Sequence, residues 1–122
     1  MADPSKLIVL DKAHSLLERV NEAEMKVRKP HLGDLKKQLM KSALSIPSNI
    51  AEGRRKDSQR EFLRFLDIAL GSTGELETQL RAAMDCRAIP ADTHVDLAKR
   101  AAEVGKMLNG LRRRIIQDLE DS

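Results

Sequence analysis

Four stretches of this chain repeat apolar residues at intervals of three and four, the period of an α-helix buried along one side. The first covers residues 5–27, where Leu7, Leu10, His14, Leu17 and Asn21 form a stripe with Ala13, Leu16 and Val20 beside it. Asp3 or Ser5 suits its N-cap, with Pro4 near the first turn. Arg28, Lys29, Pro30 and His31 make the first break. The second stretch, residues 32–51, places Leu32, Leu35, Leu39, Ala43, Ile46 and Ile50 on one face. Pro47 removes a backbone donor there and crowds the preceding turn, which predicts a kink near residues 43–46 rather than a stop. Gly53 suits a C-terminal cap, and residues 53–58 form the turn.

The third stretch covers residues 58–86, opened by a capping box of Ser58 and Glu61. Between Phe62 and Leu70 only Arg64 and Asp67 are polar, far more apolar surface than one stripe requires. Gly71 and Gly74 each cost about 1 kcal/mol relative to Ala inside a helix. Ser72 and Glu75 would cap a new helix if the chain broke there. A continuous helix is the preferred reading, with the small residues admitting a close neighbour. Residues 88–91 connect to the fourth helix, with Asp92 as its N-cap. Leu97, Ala101, Val104, Leu108, Leu111 and Ile115 then alternate three- and four-residue steps, the seam of a bundle, and Gly105 and Gly110 again suggest close contact. Short connections between long helices imply antiparallel neighbours. The expectation is an all-α, antiparallel up-down-up-down four-helix bundle, kinked at Pro47 and forming a single domain over residues 1–122.

Composition agrees with this pattern. The chain of 122 residues is 34% charged and 41% apolar, with no Trp, no Tyr and two Phe, a mixture that favours helices over strands. One cysteine, Cys86, forms no disulfide within the chain. The longest early apolar run, residues 7–10, is too short for a signal peptide or a membrane span. A cytoplasmic protein with no membrane partner is expected. Net charge is only +3, but eleven basic residues stand against four acidic ones between residues 26 and 64, a balance of +7. Such asymmetry points towards an anionic partner.

The run QLMKSALSIPSNIAEGRRKDSQREFLRFLDIALGSTGELETQL, residues 38–80, closely resembles the signature of bacterial 23S ribosomal RNA intervening-sequence proteins, also called four helix bundle proteins. Its most specific pieces are SIPSNIAEG, FLRFLDIALGS and ELETQL at these separations. LDKAHSLLERV and GKMLNGL extend the likeness over nearly the whole chain. The resemblance implies four-helix bundles assembled into homopentamers. It also implies kinship with the accessory variability determinant of diversity-generating retroelements, a basic pentamer that works with a reverse transcriptase and its RNA. Independently, the surplus apolar residues Leu63, Ile68 and Leu70 mark a candidate oligomer interface.

Catalytic chemistry finds little support in the residues. A di-iron bundle needs Glu-x-x-His pairs, and none of His14, His31 or His94 follows a Glu at that spacing. Glu75 and Glu77 point to different faces. Cys86 lacks a pattern that activates a thiolate, and Gly71 and Gly74 lack the strand and lysine of a phosphate loop. No catalytic residue, metal or cofactor is expected, and the chain reads as non-enzymatic. Pro47, Asn49, Glu52, Ser72 and Glu75 form a kink-and-polar set in apolar surroundings, expected to bond one another or the backbone freed by Pro47. The alternative is that they line a shared groove.

The best functional candidates are basic. Arg54, Arg55 and Lys56 adjoin Arg60 and Arg64, and Arg112, Arg113 and Arg114 form a second cluster. Arginine donates paired hydrogen bonds to phosphate, which makes these eight residues a candidate surface for RNA or other nucleic acid. With no Tyr or Trp, and both Phe residues read as core, binding should follow the backbone and weaken with salt. The rival reading is a protein-interaction scaffold or an accessory subunit, for example of a reverse transcriptase, whose basic residues contact protein.

Overall fold

The computed structural model describes residues 4–26 and 34–122. Four helices account for most of them: α1 (Pro4–Glu22), α2 (Leu35–Arg54), α3 (Gln59–Asp85) and α4 (Ala91–Asp121). Each helix packs on its neighbours in the chain and α1 closes on α4, giving an antiparallel four-helix bundle. The core is aliphatic, its largest fully buried side chains including Leu16, Leu39, Ile46, Ile50, Leu66, Leu76, Leu80 and Leu108. All six residues of the predicted α4 seam are buried.

The helix termini correct several expectations. α1 stops at Glu22 rather than residue 27. Beyond it, the Lys26 N–H donates to the Ala88 carbonyl at 2.9 Å, tying this segment to the α3–α4 connection. The Asp3 cap, the break at residues 28–31 and the start of α2 at residue 32 lie outside the described residues. α1 also buries Val9, Ala13, Leu16 and Val20, so the Leu7–Leu10–His14–Leu17–Asn21 stripe is a half-exposed flank. The two stripes share one period, and only packing against α2 and α4 selects between them.

α2 continues unbroken through Pro47 to Arg54. Gly53 is not a C-terminal cap. It lies buried inside the helix without positive φ. A Cβ there would meet Phe62 Cδ1 at 2.6 Å and Phe65 Cβ at 2.9 Å. The glycine is therefore needed for the close approach of α2 to α3.

α3 is continuous from Gln59 to Asp85, with no break at Gly71 or Gly74. The Ser58 hydroxyl accepts from the Glu61 N–H at 3.1 Å, one half of the expected capping box. Gly71 and Gly74 face open space instead of a neighbouring helix. A Cβ on Gly105 would touch Thr73 Cγ2 at 3.4 Å, whereas Gly110 has only Arg113 Nη2 at 3.9 Å. α3 ends in a Schellman motif, with Ala88 N–H donating to Ala83 O and Arg87 N–H to Met84 O. Arg87 occupies the left-handed position with φ 60°. Pro90, not Asp92, is the N-cap of α4. Asp92 lies one residue into the helix, where its carboxylate accepts from the Thr93 N–H.

Candidate nucleic-acid interface

The tight α2–α3 packing at Gly53 decides where the first basic cluster goes. Arg55 and Lys56 follow directly, with their N–H groups on Glu52 O and Gly53 O. The short turn then leads directly into α3, whose first turns carry Arg60 and Arg64. Phe62 is buried, as expected of core, but Phe65 is only half-buried, which corrects the reading of both rings as core. Lys56 Nζ lies 5.4 Å from the Phe65 ring centre and Arg64 Cζ lies 5.2 Å from it. Lys6 of α1 covers the Phe62 ring at 4.6 Å. Both rings thus hold cations at this end of the bundle through the negative charge of their faces.

The antiparallel course of α4 brings the second cluster to the same end. Arg112 Nε donates to Asp67 Oδ1 on α3 at 2.7 Å, and Arg114 Nη2 donates to Ser5 Oγ on α1 at 2.7 Å. Arg113 and Arg114 line an open groove of about 610 Å³ with Ser5, Met107, Leu111 and Gln117. The eight basic residues therefore lie towards one end of the bundle, although they come from two separate parts of the chain. Arg112 is committed to Asp67, and Lys56 pairs with Glu52 at 3.1 Å. Arg54, Arg55, Arg60, Arg64 and Arg113 make no ion pair among the described residues.

The charge excess between residues 26 and 64 does not form one patch. Lys36, Lys37 and Lys41 sit on the first turns of α2, at the far end from Arg54. Lys36 has a structural task that its sequence context did not reveal. Its ammonium donates to Val20 O at 2.7 Å, Asn21 O at 3.0 Å and Ala23 O at 2.6 Å. These carbonyls lie at and just beyond the C-terminus of α1, where the helix dipole favours a cation. Burial lowers the Lys36 pKa below the usual lysine value.

The kink-and-polar set separates into distinct roles. Ser45 Oγ and Ser72 Oγ lie 2.7 Å apart across α2 and α3. Asn49 Nδ2 donates to Ser45 O at 2.7 Å and to Ser45 Oγ at 3.0 Å. Asn49 and Ser72 are thus joined through Ser45, which sequence reading missed; it lies four residues before Asn49, within reach on a helix. Glu52 pairs with Lys56 on the surface, and Glu75 is exposed and joins no ion pair among the described residues. Of the candidate interface residues, Leu63 and Leu70 are half-buried against the core and Ile68 is 44% exposed. Cys86 is exposed at the end of α3. Among the described residues no group of three or more His, Cys, Asp or Glu side chains is placed to hold a metal, and no helix is long and apolar enough to cross a membrane.

A protein of unknown function from Bacteroides thetaiotaomicron VPI-5482, assigned to the S23 ribosomal protein family, has a similar crystal structure. The TM-score is 0.81 at 24% identity, over 89% of this chain and 98% of that one. This likeness shows the shared bundle fold. No protein of curated function matches the chain. The family described as 23S rRNA-intervening sequence protein matches residues 5–110. With the bundle and the match agreeing over most of its length, the chain belongs to the 23S rRNA-intervening sequence protein family.

Proposed function

We propose that the chain is a non-enzymatic, cytoplasmic homopentamer that binds RNA or other nucleic acid along its phosphate backbone through the basic end of the bundle. The observation that carries this reading is the convergence of two basic clusters, one from the α2–α3 turn and one from α4, with five arginines outside ion pairs among the described residues. The family description associates the chain with ribosomal RNA, and the pentamer follows from the resemblance of residues 38–80. Repetition of the basic end around an oligomer multiplies a modest patch into a multivalent surface. The non-enzymatic reading rests on the sequence, where neither the Glu-x-x-His pairs of a di-iron site, an activated cysteine nor a phosphate loop is found.

The test is the binding of labelled single-stranded RNA to nuclease-treated protein over a range of salt. Affinity should fall linearly with salt on logarithmic axes, because neutralised phosphates release their counterions. Arg54→Ala/Arg55→Ala/Lys56→Ala should weaken binding and flatten that slope. Salt-independent binding, or binding unchanged in this variant, rejects the reading and moves the basic end to contact with a partner protein.

A further inference from the structure

The α1–α2 face carries an apolar groove that no described residue covers. Leu17, Met40 and Leu44 floor it, Lys37 and Lys41 stand at its rim, and its volume is about 460 Å³. Leu44 is 53% exposed. Lys36 also borders the groove, but its ammonium is committed to the α1 carbonyls. Lys37 and Lys41 are exposed and make no ion pair among the described residues. The groove therefore asks for an occupant that is apolar at one point and acidic about two turns away.

The same chain carries such an element. Ile68, Gly71 and Glu75 follow one another at three- and four-residue steps on α3, hence on one face, and all three are exposed. Ile68 is the large apolar residue that α3 leaves open, at 44%. Glu75 makes no ion pair within the chain among the described residues. Gly71, between them, has no atom within 4 Å of where a Cβ would stand, which lowers the ridge and permits a close approach. The spacings also match. Leu44 and Lys37 are seven residues apart on α2, as are Ile68 and Glu75 on α3, and seven residues of helix span about 10.5 Å.

We infer that the α1–α2 groove receives the α3 ridge of a second copy of this chain, with α3 antiparallel to the receiving α2. Ile68 then rests on Leu44 and Leu17 while Glu75 reaches Lys37, with Lys41 one turn away. The two surfaces differ, so the contact is heterologous, and each copy has one groove and one ridge to offer. Such head-to-tail contacts produce a ring when the rotation closes. The inference rests on the oligomeric part of the proposed function and adds the surfaces that join the subunits.

Charge reversal tests it, because all three charged residues are exposed and their replacement leaves the core untouched. Light scattering on wild type, Glu75→Lys, Lys37→Glu/Lys41→Glu and the triple variant gives the masses, with far-ultraviolet circular dichroism confirming helicity. Wild type should be a multiple of the 13.7 kDa chain. The first two variants bring like charges together and should fall towards the monomer mass, and the triple variant, with both signs exchanged, should return to the wild-type mass. Retention of the wild-type mass by either Glu75→Lys or Lys37→Glu/Lys41→Glu overturns the assignment of faces, as does a triple variant that remains monomeric. A monomeric wild type overturns the oligomer itself, and with it this inference.

Discussion

Gly53 lies beneath the ring of Phe62 so closely that a Cβ on the glycine would come within 2.6 Å of Phe62 Cδ1. The obstacle is a buried ring on one side and the Phe65 Cβ, which moves only with its backbone, on the other. Gly53→Ala should therefore lower stability by about 1–3 kcal/mol, the usual cost of overpacking a core. Gly74→Ala should do the opposite and add up to about 1 kcal/mol, since the site is open and alanine is the better helix former. Urea unfolding followed by circular dichroism measures both, and the same sign for the two substitutions would refute the distinction.

Arg87 holds the left-handed position of the Schellman motif at the end of α3. A side chain there costs on the order of 1 kcal/mol relative to glycine. Arg87→Gly should raise the unfolding midpoint, while Arg87→Val, with a branched Cβ, should lower it.

Lys36 fastens α2 to the C-terminus of α1 through three carbonyls. Lys36→Met keeps the aliphatic stem and removes the donors, so it should cost about 1–2 kcal/mol at neutral pH. The sign of the pH dependence follows from the lowered folded-state pKa. Just below the ordinary lysine value the unfolded chain binds more protons, so the contribution of Lys36 to stability rises with pH through that window. Unfolding curves of wild type and Lys36→Met across alkaline pH should therefore differ in slope, and parallel curves would count against the burial of this amine.

Ser45 and Ser72 share one hydrogen bond across the α2–α3 interface. Ser45→Ala should cost about 1 kcal/mol, because it leaves the buried Ser72 hydroxyl without its partner and removes an acceptor of Asn49. The double variant Ser45→Ala/Ser72→Ala should cost less than the two single changes added together. Simple additivity in a double-mutant cycle would show that the pair is not coupled.

Much of the bundle was legible in the linear pattern. The α4 seam was read residue by residue, and the buried face of α2 was read from Leu39 to Ile50, because these stripes are the most apolar faces their helices have. α1 offers two stripes of equal period, and the choice of Val9, Ala13, Leu16 and Val20 over Leu7, Leu10 and Leu17 depends on where α2 and α4 lie. The candidate site was half legible. Both basic clusters are visible as runs of arginine, but charge counted along the chain merged Lys36, Lys37 and Lys41 with Arg54 and Arg55, which the length of α2 holds at opposite ends of the bundle.

By itself the sequence determined the helical class, the number of helices and the antiparallel order, which depend on local period, turn residues and short connections, and the family, which the motifs of residues 38–80 carry. The tertiary structure alone decided that Gly53 is a packing residue, that Phe65 is half-exposed under two cations, that Lys36 caps another helix, and that residues 54–64 and 112–114 share one end. Each of these depends on which side chains meet across helices, a distance in space that separation along the chain does not encode.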